Sequence, residues 1–146
     1  MPKKYPLPDC LRTQRTDESA FVRWLQRKAK AHVRRDRKRG VADATGLTYT
    51  AAIYAAVVAT GGCDYFTGKP LDWHLISKWD NAEAARKRGD YKREFWSLPT
   101  VDHEDPRNPG SPLRLCSWQV NDVKNDLTIQ ELLSLTDAIR AHLRRT

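Results

Sequence analysis

Asp102 and His103 stand side by side in the sequence, and Asn121, Lys124 and Asn125 follow shortly after. A neutral imidazole with a pKa near ~6.5 is a fitting base for drawing a proton from water at physiological pH. One carboxylate, one or two amide oxygens and several waters make a hard-oxygen set suited to Mg²⁺ or Mn²⁺ and poor for zinc. These residue types therefore point to activation of water beside a divalent cation, with Asp102 holding the ion and His103 the water.

Such residues need elements to position them. The hydrophobic pattern predicts short strands over Leu98–His103 and Leu113–Trp118, separated by EDPRNPGSP, where three prolines and a glycine forbid regular structure. Adjacent residues of an ideal strand face opposite ways, so a twist or bulge must turn Asp102 and His103 toward one cleft. A polar helix start, Asn121 to Asp126, comes next. Asn121 and Asn125 are four apart and would share one face with Lys124 alongside. Thr128 and Glu131 form a capping box. Ile129, Leu132, Leu133, Thr136, Ile139 and Leu143 then draw an apolar stripe that predicts a helix covering the strands.

Upstream, Thr16 reads as the N-cap of a helix running to about Arg39, with Phe21, Leu25 and Ala29 four apart and Gly40 as the stop. A second helix is expected over 48–60, with Ala52, Ile53, Ala56 and Val57 on one face and Gly61-Gly62 ending it. Residues 63–76 read as a turn between two short extended pieces, and 80–93 as a surface connection with some helix. Residues 1–15, with prolines at 2, 6 and 8, read as a loose arm. Trp73, Trp79, Trp96 and Trp118 read as core or core-edge residues.

At 146 residues the chain is one domain's worth. It has no apolar run near the ~20 residues that span a bilayer. Its first residues also lack the apolar stretch of a signal peptide. Cys10, Cys63 and Cys116 are odd in number and far apart, a poor disulfide framework. A cytoplasmic protein with reduced cysteines is expected, Cys63 and Cys116 being small buried residues. The net charge of +8 is concentrated in residues 23–39, which hold nine Lys/Arg against Asp36 alone. That layout is the footprint of a polyanion-binding surface. Arg27, Lys30, Arg34, Arg35, Arg37, Lys38 and Arg39 are the expected nucleic-acid contacts, with DNA as partner, RNA as the alternative, and no membrane.

The order TVDH, then LRLC, then WQVNDVKNDLT with a closing amphipathic helix resembles the HNH endonucleases of the His-Me finger superfamily. The likeness covers residues 61–143. CDYFTGKPLDW is similar to the segment leading into many such cores, without the zinc-binding cysteine pairs of some members. The resemblance implies an α+β fold: a ββα-metal (HNH) core over 61–146 with its C-terminal amphipathic helix. Residues 1–60 would supply a basic arm and two helices to the same compact domain. It implies an endonuclease that hydrolyses DNA phosphodiester bonds, leaving 5′-phosphate and 3′-hydroxyl ends. His103 would be the general base. Asp102 and Asn121 would bind Mg²⁺ (or Mn²⁺), with Asn125 a further candidate ligand, and Lys124 would neutralise a phosphate oxygen.

One departure stands out. The family's middle Asn is missing, so either Asn108 or Ser111 substitutes for it or the base is less firmly oriented. A non-catalytic nucleic-acid-binding module on a degenerate HNH scaffold is the alternative. A basic adaptor for a protein partner, with Asp102 and His103 as ordinary turn residues, is a third.

Overall fold

The computed structural model describes residues 3–78, 81–87 and 89–145. Trp79 lies outside the described residues. The class is α+β, helices around one small antiparallel sheet. In chain order the elements are α1 (Asp9–Arg12), α2 (Glu18–Lys38), α3 (Gly46–Ala59), a 3-10 turn (Trp73–Ser77), α4 (Asn81–Lys87) and α5 (Gly89–Glu94). Strands β1 (Pro99–His103) and β2 (Leu113–Ser117) follow, then α6 (Trp118–Lys124) and α7 (Ile129–Leu143).

α2 organises the molecule. Its N-cap is Asp17, not Thr16: the Asp17 carboxylate accepts from the Ala20 N–H at 2.9 Å. A carboxylate caps and also meets the positive end of the helix dipole. Phe21, Trp24, Leu25 and Ala29 are buried against Ile53 and Val57 of α3 and against Trp73. Trp24 and Trp73 meet edge to face with ring centres 5.0 Å apart, and Phe21 meets Trp73 likewise at 5.9 Å. Such pairs contribute about 0.5–1.5 kcal/mol each beyond their burial. The Trp73 indole donates to the Gly62 carbonyl at 3.0 Å. Gly62 has φ +77°, and a side chain there would meet Leu11 at 3.0 Å, so only glycine serves.

The same helix grips β1 from one end to the other. Trp24 donates to the Pro99 carbonyl at 3.2 Å, and Lys28 to Thr100 Oγ1 at 3.1 Å. His32 Nε2 bonds the Val101 carbonyl at 3.0 Å, and Asp36 meets His103. Residues four apart lie above one another on a helix, so 24, 28, 32 and 36 make one row of rungs against the strand. All five β1 residues are buried.

Several expectations are corrected. Residues 1–15 are not a loose arm as far as they are described: Leu7 and Leu11 are in the core, and the Tyr54 hydroxyl donates to the Pro6 carbonyl at 2.7 Å. Residues 63–76 hold one extended bridge, Cys63 to Pro70, and then the 3-10 turn instead of a second extended piece. Cys63 is only half-buried, whereas Cys116 is fully buried. Ala52 of α3 is exposed, so the packed face is narrower than its alanine content suggests. Trp73 is core, but Trp96 is exposed.

The largest correction concerns α7. Its capping box forms as expected, with Thr128 and Glu131 bonded reciprocally. Yet none of its residues is buried, and Leu133, Leu135, Ile139 and Leu143 are each at least half exposed. The helix does not cover the strands. β1 is covered instead by α2. Among the described residues, no helix is long and apolar enough to cross a membrane.

Candidate functional site

β1 ends in Asp102 and His103, paired in register with Arg114 and Leu113 of β2. The intervening loop is pinned closed. Glu104 N–H donates to the Pro112 carbonyl at 2.9 Å, and Ser111 Oγ both accepts from the Asp105 N–H and donates to its carbonyl, each at 3.1 Å. Asn108 Oδ1 accepts from the Gly110 N–H at 2.9 Å. Asn108 and Ser111 thus both steady the loop, Ser111 by tying its two sides together. Neither bonds the His103 ring among the described residues.

That ring is held from α2. His103 Nε2 lies 2.9 Å from Asp36 Oδ2, and the Tyr49 hydroxyl donates to the same oxygen at 2.6 Å. A carboxylate oxygen accepts, so Nε2 carries the proton and the lone pair of the neutral ring is on Nδ1. Burial, and then the hydrogen bond to Asp36, push the Tyr49 hydroxyl up to about 12, which keeps it a donor. Asp36 is wholly buried; its Oδ1 accepts no hydrogen bond among the described residues and faces the Arg39 guanidinium at 4.0 Å. His32 stands edge-on to His103 at 5.3 Å. Burial, then the Arg35 charge, lower the His32 pKa to about 4, so it is a neutral donor to Val101.

Asp102 is bound on both oxygens. Oδ1 accepts from the His103 backbone N–H at 2.9 Å, and Oδ2 lies 3.1 Å from Lys124 Nζ. Lys124 is completely buried, also donates to the His103 carbonyl at 3.2 Å, and does not line the cleft. Its expected role as a phosphate contact is therefore corrected: it is an internal counter-ion. A lysine can be buried when paired in this way.

The cleft beside these residues encloses about 460 Å³. Asp102 and His103 both line it, so the strand end does turn the two toward one space. Arg35 and Arg39 of α2 form one wall, and Asn121, Asp122, Asn125 and Asp126 another. α6 begins at Trp118, earlier than expected, capped by the Ser117 hydroxyl. Asn125 is not on the helix face with Asn121 but is its C-cap residue, at φ +47°. Asparagine tolerates that conformation better than most residues, and its place at the cleft follows from the turn.

Of the seven cations expected to contact nucleic acid, only Arg35 and Arg39 reach this cleft. Arg27, Lys30, Arg34, Arg37 and Lys38 are exposed on other sides of α2. Arg37 donates to the Ala44 carbonyl at 2.9 Å and Arg39 to that of Pro106 at 2.7 Å.

As to a metal, the described residues gather no group of three or more His, Cys, Asp or Glu side chains fit to ligate one. The oxygen donors lining the cleft are the carboxylates of Asp102, Asp122 and Asp126, with Asp122 paired to Lys92 at 3.0 Å, and the amides of Asn121 and Asn125. That hard-oxygen set fits a cation that keeps several waters, as Mg²⁺ does. Lys124 weakens the fit by already neutralising Asp102.

Asp36 and Tyr49 are the residues that sequence reading missed. The available signal was Asp36 itself, the lone acid in a run of nine cations. A surface run has no need of one acid, whereas a buried cationic or hydrogen-bonding group does. In comparison with known proteins, the chain matches no family model, no curated protein and no solved structure.

Proposed function

We propose that the protein is a divalent-metal-dependent endonuclease of the HNH type, built on a ββα-metal core, that hydrolyses DNA phosphodiester bonds. The observation that carries the reading is the His103–Asp36 pair of 2.9 Å opening on a cleft that also holds Asp102, Asn121 and two arginines. Asp36 fixes the tautomer and, with Tyr49 behind it, the ring orientation. His103 Nδ1 takes the proton from water as the oxygen attacks phosphorus in line. Arg35 and Arg39 draw the phosphate into the cleft and offset its charge. Asp102 and Asn121, with Asn125 as a further donor, would hold the cation. Bound Mg²⁺ or Mn²⁺ would supply Lewis-acid stabilisation of the charge building on the phosphate and the leaving oxygen. Three unpaired cysteines support a cytoplasmic setting.

The test is nicking of supercoiled plasmid in Mg²⁺ and in Mn²⁺, with and without EDTA, beside His103→Ala. Nicking should need the ion and fall about 10²–10⁴-fold in the variant. Undiminished nicking by a folded His103→Ala protein would sink the assignment. A second reading, a nucleic-acid-binding module that has lost its chemistry, is favoured by one observation: Lys124 occupies Asp102 Oδ2 at 3.1 Å. It calls for salt-sensitive binding and no nicking in either ion.

A further inference from the structure

α2 carries a second row of cations that the cleft does not use. Arg23, Arg27, Lys30, Arg34 and Lys38 are spaced by four, three, four and four residues, and all are exposed. At 3.6 residues per turn they fall within about 80° of arc along roughly 22 Å of helix, centred about 120° from Arg35 and Arg39. Among the described residues none of the five forms an ion pair; Arg27 donates only to the Ile76 carbonyl, at 3.0 Å. The positive charge of the row is left unneutralised.

From this we infer that the outward row is a second phosphate-backbone surface, separate from the cleft, that takes double-stranded nucleic acid. An acidic membrane is a poorer partner. A helix lying in a bilayer interface must offer an apolar face, and here Phe21, Trp24, Leu25 and Ala29 are committed to the core. A flexible single strand is also poorer. Single-strand surfaces stack bases on aromatic rings, and the two aromatic side chains within 23–39, Trp24 and His32, are both buried. A rigid, evenly spaced row suits a rigid, evenly charged partner. Three of its five members are arginines, whose planar forks match phosphate. A straight duplex laid along the row faces away from the cleft, so the row holds a segment other than the one being acted on. The contact reads backbone, not sequence.

The experiment measures binding of the full chain to a short duplex in EDTA, so that no chemistry intervenes, across a range of salt. Three proteins are compared: wild type, a variant with all five row residues changed to Gln, and Arg35→Gln/Arg39→Gln. Gln keeps helix propensity, and circular dichroism checks the fold. Each lost phosphate contact lowers the slope of log K on log salt by about 0.9. The row variant should therefore lose up to about 4.5 units of slope, and the cleft variant at most about two. An unchanged slope in the row variant overturns the inference. So does wild-type binding to phosphatidylserine vesicles that equals its binding to the duplex. The inference does not rest on the hydrolytic reading. A protein that never nicks can still lose slope in the row variant, and one that nicks can fail to.

Discussion

α2 and α7 are both amphipathic by sequence, yet they end in opposite circumstances. α2 buries Phe21, Trp24, Leu25 and Ala29 and adds a rung to β1 at each of Trp24, Lys28, His32 and Asp36. α7 has a sound cap and an apolar stripe, yet none of its residues is fully buried and only Ile129 and Leu132 of the stripe are half-buried. Periodicity says that a helix has a face to cover; it does not say what covers it. Here β1 is taken by the more charged of the two helices, and β2 packs against α3. Apart from Lys28 and Asp36, which bond β1, the charged residues of α2 from Arg23 to Lys38 are exposed.

The contrast can be broken or sharpened by substitution. Phe21→Ala removes a fully buried ring from the α2 side and should cost about 3–5 kcal/mol in urea unfolding. A cost below about 1 kcal/mol would show that α2 is not the centre of the core. His32 gives a smaller, pH-dependent effect. Its folded pKa of about 4 lies below the unfolded ~6.5, so the unfolded chain binds the extra proton. The stability from keeping it neutral is full above about pH 6.5 and is lost as pH falls toward 4. The total is about 3 kcal/mol. His32→Gln should flatten that part of the stability–pH curve, and an unaltered slope would refute it. Ile139→Ala on α7 should change stability by no more than about 0.5 kcal/mol. A loss of 2 kcal/mol or more would mean that α7 is packed in solution.

These two helices also show which features could be read from sequence. The capping box at Thr128 and Glu131 was legible because both partners lie within one turn. The same is true of the strand pair around EDPRNPGSP, whose prolines leave few alternatives. Asp102, His103, Asn121 and Asn125 were named from type and order, and they do line one cleft. What was not legible depends on distance along the chain. Asp36 and His103 are 67 residues apart, and nothing local announces their bond. The role of Lys124 was misjudged for a related reason. It stands in a mostly polar stretch, Asn121 to Asp126, but its neighbours in space are Asp102 and the His103 carbonyl.

The four rungs from α2 to β1 also fix a length. Each depends on the same phase of the helix, so one residue inserted between Trp24 and Asp36 turns everything beyond it by about 100°. An insertion just after Ala29 would leave Trp24 and Lys28 in place while swinging His32 and Asp36 away from Val101 and His103. The segment thus works as a ruler read from both ends. Substitutions along its outer side leave the count intact, but a shift in the count by a single residue cannot be absorbed.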